Sequence, residues 1–234
     1  MTRIDTTHKD FYNELSNREL HPYIVRGIEY RNRVIAERVG KTPSDVLEVG
    51  PGEGWLTQLL AENKHRVTAV DLAIAWLSKV PEHNLAGRAA ASITSLPFKD
   101  DSFDVVIAAE VIEHVPEIEK ALANLARVLR PKGTLVITVP YKETLKFETD
   151  PETGKKFEVN GHLHTFDEEK LGNLIRGAGL DLQEHFVGPT RFSREILRRA
   201  PIAPLLSFLG TIDRISYKSQ RVSDTWILAR AVRA

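Results

Sequence analysis

From Asp45 onward the chain alternates between short, mainly apolar runs of strand length and stretches whose apolar residues recur three and four places apart. The runs predict strands near 45–49, 66–70, 87–91, 103–109, 133–139, 180–187 and 224–232, with helices near 53–63, 73–80, 116–130 and 167–177. Such alternation predicts an α/β fold, a mostly parallel sheet with helices on both faces. Helix ends carry their own signals. Pro116 suits a first helical position, Ile118, Leu122, Leu125 and Leu129 form one apolar stripe, and Pro131 with Gly133 stops it. Thr165 followed by Glu168 reads as a capping box, and Gly177 and Gly179 close the helix after it.

Three segments stand outside this pattern. Residues 1–44 read as two helices ahead of the sheet, with Phe11, Tyr12, Tyr23 and Tyr30 among them. Residues 141–165 are polar and glycine-containing, and predict a long loop after the fifth strand. Residues 188–222 combine Arg191, Arg194, Arg198 and Arg199 with a proline-broken apolar run from Ile202 to Leu209. Long excursions at the carboxyl edge of an α/β sheet usually form lids or substrate walls. A length of 234 residues suits one domain. Its expected parts are an N-terminal helical cap (1–44), a core (45–187), a variable substrate cap (188–222) and a last strand (223–234).

Composition narrows the chemistry. Acidic and basic residues balance at 32 each, so no overall field gathers nucleic acid, and a nucleic-acid partner is not expected. The absence of cysteine excludes disulfides, thiolate nucleophiles and cysteine-based zinc sites, so any metal must use His and carboxylate. The start MTRIDTTHKDFYNEL is polar, and no apolar run reaches membrane-spanning length, so a cytoplasmic protein is expected. For the arginine-rich segment, a solvated helix face is favoured over an anion site or peripheral contact with a membrane surface.

The candidate chemistry begins at Val46–Leu60, VLEVGPGEGWLTQLL: an apolar strand ending near Glu48, glycines at Gly50, Gly52 and Gly54, then a helix that starts on the loop itself. Glycines let a ligand approach the backbone, and a helix start offers unpaired N–H groups. A dinucleotide fingerprint G-x-G-x-x-G would need glycine where Trp55 stands. Gly40-Lys41-Thr42 is no phosphate loop either, because Ile35 occupies the place of its first glycine and the strand follows rather than precedes it. Asp71 ends the second strand, where an acid can accept from both ribose hydroxyls of a nucleoside or cap the helix that follows.

An acid, then glycines at alternate positions after a first strand, resembles motif I of the class I S-adenosylmethionine (SAM) dependent methyltransferases. The stretch ASITSLPFKDDSFDVVIAAEVIEHV, with its LPF, SFD and EVxEH elements, is similar to the small-molecule group of that family. The likeness covers Asp45–Pro140 and extends more loosely, through GHLHTFDEEKLGNLIRGAGL, to Leu180. It implies a Rossmann-like seven-stranded, mostly parallel sheet with the last strand antiparallel, N-terminal helices and a lid insertion. It also implies SAM as cofactor: Glu48, Gly50, Pro51, Gly52 and Gly54 around its methionine end, Asp71 and Leu72 at the ribose, Ser92 and Ile93 beside adenine, and Glu110 facing the cofactor. Ser92 stands where that group usually has an aspartate, so one neutral oxygen replaces a carboxylate.

Methyl transfer asks the protein to position a nucleophile and, for some acceptors, to remove its proton. Glu110, Glu113 and His114 are the candidates, at the end of the fourth strand. With His162 and His164 they also resemble the metal sites of small-RNA 2′-O-methyltransferases, and the EVxEH stretch recurs in ubiquinone-biosynthesis O-methyltransferases. In that reading Mg²⁺, Mn²⁺ or Zn²⁺ would ligate and orient the acceptor oxygens. In the other reading Glu110 faces the cofactor and His114 is a lone base or a packed histidine. The expected function is methylation of an oxygen on a small organic substrate. N- or C-methylation, RNA-end 2′-O-methylation and SAM-binding regulation are the alternatives, because a fold of this kind does not fix the acceptor.

Overall fold

The computed structural model of the protein describes residues 22–82, 85–151, 153–189 and 225–234, together with Ser193 and Asp213. Helix α1 (Pro22–Val39) precedes β1 (Asp45–Val49), α2 (Trp55–Glu62), β2 (Arg66–Asp71), α3 (Ile74–Lys79), β3 (Gly87–Ala90) and β4 (Phe103–Ala109). A 3₁₀ turn (Ile112–His114) then leads to α4 (Ile118–Val128), β5 (Leu129–Pro140), β6 (Phe147–Thr149), β7 (Lys156–Glu158), α5 (Glu168–Gly177), β8 (Leu180–Gly188) and β9 (Trp226–Arg233). Seven strands form one sheet in the order β3-β2-β1-β4-β5-β9-β8, and β6 and β7 pair separately. Neighbours from β3 through β5 are parallel, whereas β9 runs antiparallel to both β5 and β8. This is the Rossmann-like sheet that the sequence predicts, last strand included.

Both faces of the sheet are covered, which is why its central strands are apolar without alternation. Val46 of β1 and Val105 and Ile107 of β4 face a layer built from Tyr30, Val34 and Ile35 of α1 and Leu56 and Leu60 of α2. Their neighbours Leu47, Val106 and Ala108 face the opposite layer, where Leu122 and Leu125 of α4 pack with Leu171 and Ile175 of α5. Successive strand residues point to opposite faces, so one run feeds two cores. The strand order reverses between β1 and β4, and in open α/β sheets the crevice at the carboxyl ends of such strands is where ligands bind.

Several expectations need correction. Residues 141–165 are not wholly loop, because Phe147–Thr149 and Lys156–Glu158 form a hairpin. The cap of α5 is Asp167, whose carboxylate accepts from the Lys170 amide at 2.8 Å, and not the Thr165–Glu168 box. An acid two residues further on competes with threonine for that role and wins by position. Gly177 lies within α5; the turn is closed by Gly179, which takes φ +76° and donates to the Arg176 carbonyl. Pro116 stands two residues ahead of α4 rather than in it. Pro131 and Gly133 do not separate helix from strand: β5 begins at Leu129, and the register shift against β4 makes this stretch an irregularity within the strand. Of the two helices read in 1–44, the second is α1; residues 1–21, and the arginines and apolar run of 190–224, lie outside the described residues.

At the sheet's upper edge Glu48 is almost fully buried, at 3% exposure, and its carboxyl accepts from the Thr57 hydroxyl on the first turns of α2. Burial pushes its pKa up to about 7, with the Thr57 bond pulling the other way. At the lower edge the Arg130 guanidinium bridges Asp104 at 2.7 Å and Asp45 at 3.0 Å.

These arrangements predict unequal costs. Ile107→Ala, at a fully buried position, is expected to lose about 2–5 kcal/mol of unfolding free energy in urea titration. Arg130→Ala, whose ion pairs are well exposed, should lose about 1 kcal/mol or less. Because the folded pKa of Glu48 lies above its unfolded value, the native chain holds a proton that the unfolded chain releases, and stability falls as pH rises from 4.5 to about 7. Glu48→Gln should flatten that part of the profile; a slope equal to that of the parent protein would rule out Glu48 as its source.

Candidate functional site

A cavity of about 590 Å³ opens where β1 and β4 diverge, a size common among small-molecule sites. Its floor is the glycine loop. Gly50 takes φ +71° and its amide donates to the Val70 carbonyl at 2.8 Å, which ties the loop to β2. A Cβ on Gly50 would come within 2.5 Å of Val111 Cγ2, so the loop lies flush against the turn after β4 because it has no side chain. Gly54 starts α2 from φ +75°, and a Cβ there would meet Val80 at 3.2 Å. Trp55, which broke the dinucleotide pattern, lines the cavity with Trp76.

The residues assigned to the cofactor converge on this space. Glu48, Gly50, Pro51, Gly52, Asp71, Leu72, Ser92, Ile93 and Glu110 all line it, while Gly54 shapes the loop from behind. Asp71 accepts from the Ala73 amide at 2.7 Å, and burial pushes its pKa up to about 6 against the Ala73 and Leu72 amide bonds that lower it. Asp71 is not the expected cap of the following helix, whose cap position is Ala73 without a side-chain bond; it holds the turn before that helix and lines the cavity. The Ser92 hydroxyl bonds the Thr94 hydroxyl at 2.8 Å, so Thr94 joins that wall.

On the opposite side the EVIEH residues separate. Glu110 leaves the strand with φ +56°, a conformation rare outside glycine, and so does not share a helical face with Glu113. Its Oε1 accepts from the Thr138 hydroxyl at 2.9 Å and its Oε2 lies 3.4 Å from Arg31. Glu113, in the 3₁₀ turn, is fully buried, and neither carboxylate oxygen has a hydrogen-bond partner. Burial first, and the Glu110 carboxylate second, push its pKa well above the usual range. His114 lines the cavity, with Nδ1 3.1 Å from the Gly161 carbonyl and Nε2 3.9 Å from Glu113.

The segment before α5 supplies one of the two expected histidines. His162 stacks edge-on against His114 with ring centres 4.7 Å apart, and Glu113, His114 and His162 can bring one donor atom each within 4.8 Å of one another. Glu143 holds His162 Nδ1 at 2.5 Å. The Gly161 carbonyl at His114 and the Glu143 carboxylate at His162 each accept from Nδ1, so Nε2 is the ring nitrogen these two bonds leave over. Glu110 and His164 stand apart from this group: Glu110 is held by Thr138 and Arg31, and His164 Nε2 bonds the Val115 carbonyl at 3.0 Å. The hairpin base is organised by Glu158, which accepts from the amides of Lys146, Asn160 and His162.

Four contributors around the reacting side were not found from the sequence. Arg31 belongs to a helix whose other arginines give no reason to single it out, and Thr138 lies in an ordinary apolar strand. Glu143 and Glu158 are two of several acids in a polar stretch. A Glu-x₃-His pair, Glu158 with His162, was the one legible signal.

A family profile described as a methyltransferase domain matches residues 47–137. A probable S-adenosylmethionine-dependent methyltransferase of Mycobacterium tuberculosis is 32% identical over 156 residues, which is 64% of this chain and 54% of the relative. A ubiquinone biosynthesis O-methyltransferase of Xanthomonas campestris pv. campestris is 32% identical over 110 residues, 44% of this chain and 46% of the relative. The chain thus spans about half the length of these curated relatives. Among solved structures, the [4+2]-cyclase SpnF has the same fold, with a TM-score of 0.63 at 19% identity over 86% of this chain and 80% of that one. With the glycine loop, the acid at the second strand and the sheet order in place, residues 47–137 form a methyltransferase domain, and these likenesses support a class I SAM-dependent methyltransferase.

Proposed function

We propose that the protein transfers the methyl group of SAM to an oxygen of a small organic acceptor. The observation that carries this reading is the adjacency of a glycine-floored cofactor half and the Glu113–His114–His162 cluster, whose His114 lines the same cavity. The cofactor half fits SAM. Gly50 leaves room that any Cβ would fill, Asp71 stands where ribose hydroxyls need an acceptor, and acids dominate the walls, with Glu48, Glu53, Asp71, Glu110 and Glu117 against the single guanidinium of Arg31. A sulfonium cofactor is cationic, and such walls favour it. When bound, SAM supplies an electrophilic methyl on sulfur; the chain's residues hold it, align the acceptor and take the acceptor's proton.

His114 is the proton acceptor in this proposal, with its basic Nε2 fixed by the Gly161 carbonyl on the other ring nitrogen. The cluster also fits a divalent cation. Glu113 offers two buried oxygens without partners, and Gly161 and Glu143 fix the two rings in the tautomer that metal ligation needs. In that form Glu113, His114 and His162 would hold the ion, His114 Nε2 serving as a ligand instead of a base, and the ion would act as a Lewis acid on the acceptor oxygen. Oxygen as the acceptor atom is further supported by the ubiquinone O-methyltransferase among the relatives. The balanced net charge and small cavity favour a small acceptor over RNA. Among the described residues no helix is long and apolar enough to cross a membrane.

Three outcomes are expected. Calorimetry should show SAM binding, with Asp71→Ala weakening it by about tenfold for the lost charge-assisted bonds. Affinity for the parent protein should fall as pH drops below about 6, where Asp71 takes up a proton; failure to bind millimolar SAM at pH 8 would sink the cofactor assignment. Tritium transfer from labelled SAM to phenolic and hydroxylated acceptors should respond to EDTA and to added Mg²⁺, Mn²⁺ or Zn²⁺, and His162→Ala should abolish the metal response. Indifference to chelator would leave His114 as a lone base.

A further inference from the structure

We infer that Tyr30 is a positioning residue: its hydroxyl, seated on Asp213, fixes where α1 lies along the sheet and so sets the wall that α1 gives to the cavity. Tyr30 is fully buried, and its hydroxyl donates to Asp213 Oδ2 at 2.6 Å. The other carboxylate oxygen accepts from the Ser193 hydroxyl. Ser193 and Asp213 follow β8 in the chain, and both are fully buried. The carboxylate also lies against the end of β8, where a Cβ on Gly188 would meet Asp213 Oδ2 at 3.2 Å. A polar node thus ties α1 to the carboxyl edge of the sheet from outside every motif singled out in the sequence.

Packing alone does not call for this node. Tyr30 sits in an apolar layer with Val34, Ile35, Phe186 and Trp226, and a phenylalanine ring would fill the same space. Burying a hydroxyl and a carboxylate there costs hydration that apolar side chains would not lose, so the node is a poor device for stability. What it adds is direction. Apolar contacts let a helix slide, whereas a hydrogen bond weakens steeply when misaligned, and fixing register is the best-attested use of a buried polar group. Burial first, and the Asp213 carboxylate second, push the Tyr30 pKa further up, so the phenol keeps its proton and stays the donor. The effect reaches the site because Ile28, Arg31 and Asn32, on the same helix, line the cavity. A shift of α1 moves all three against Glu110, which lies 3.4 Å from Arg31, and against the glycine loop. Only what that wall holds rests on the cofactor reading above.

The test separates position from stability in the full chain, with SAM as the calorimetric probe. Asp213→Asn keeps a carbonyl oxygen for the Tyr30 hydroxyl and gains an amide that can donate to Ser193 Oγ, so it should leave SAM affinity within about threefold of the parent protein. Tyr30→Phe removes the donor and Asp213→Leu the acceptor, and each should weaken SAM by about tenfold. The double variant Tyr30→Phe/Asp213→Leu should recover thermal stability relative to Tyr30→Phe, since both partners become apolar, without recovering affinity. Affinity that returns together with stability would make Tyr30 a packing residue and overturn the inference, as would parent-like affinity in both single variants. Equal weakening by Asp213→Asn and Asp213→Leu would assign the effect to charge and overturn it too. Should a single variant lose its thermal transition, the double variant and Asp213→Asn decide by the same criteria. Amide hydrogen exchange over residues 22–39, measured without ligand, should be faster in Tyr30→Phe and in the double variant and parental in Asp213→Asn; parental rates in all three overturn the inference. A parent protein that binds no SAM at millimolar concentration refutes the cofactor reading, and the exchange pattern then decides the role of Tyr30 by itself.

Discussion

The absence of a side chain at Gly50 sets the geometry of the whole site. The loop after β1 and the turn after β4 pack so closely that one added carbon would strike Val111 at 2.5 Å. Gly50 is also tied to β2 through the Val70 carbonyl, so the contact fixes three strand ends at once. Val111 in turn separates Glu110, directed at Arg31 and Thr138, from the 3₁₀ turn that buries Glu113 and presents His114. The cofactor half and the reacting half are therefore not two sites placed side by side. Moving one moves the other, because both hang on the same van der Waals contact.

Electrostatics repeats this coupling. Glu48, Asp71 and Glu113 all have their pKa raised by burial first of all. Buried as they are, these carboxyls are costly to ionise, and a compensating positive charge offsets the hydration they lose. A cationic ligand supplies that charge, so its binding should lower the pKa of the nearest acids and release protons.

Most of the fold was legible because it depends on patterns with a fixed period. The runs at 45–49 and 103–109 are strands to the residue, for these central strands are bounded by polar or glycine positions on both sides. What escaped were features set by contacts distant in sequence. The bulge at Arg130–Gly133 depends on β4 as its partner, and Asp167 outcompetes Thr165 only once the chain enters α5 from a particular direction. The site divides in the same way. Gly50, Gly52, Gly54 and Asp71 could be read because their roles are local to a strand end and the turn after it. Arg31 could not, since its meaning comes from a helix packed across the sheet from Glu110, and nothing in PYIVRGIEYRNRVIAERV distinguishes it from Arg26, Arg33 or Arg38.

The reacting cluster joins two elements far apart in the chain, and this bears on how the site can vary. His114 comes from the 3₁₀ turn after β4, whereas His162 comes from the base of a hairpin held by Glu158 and Glu143. The Leu163 amide donates to the Glu113 carbonyl at 2.8 Å, so the hairpin base is docked on the turn that carries the other two cluster residues. A change in that excursion therefore alters the position of a reacting-side imidazole as well as the shape offered to the acceptor. The hairpin base thus reaches the glycine loop as well, through the turn that follows Val111. Excursions of this kind can vary while the sheet that carries them is kept, which is why a fold of this type does not fix the reaction.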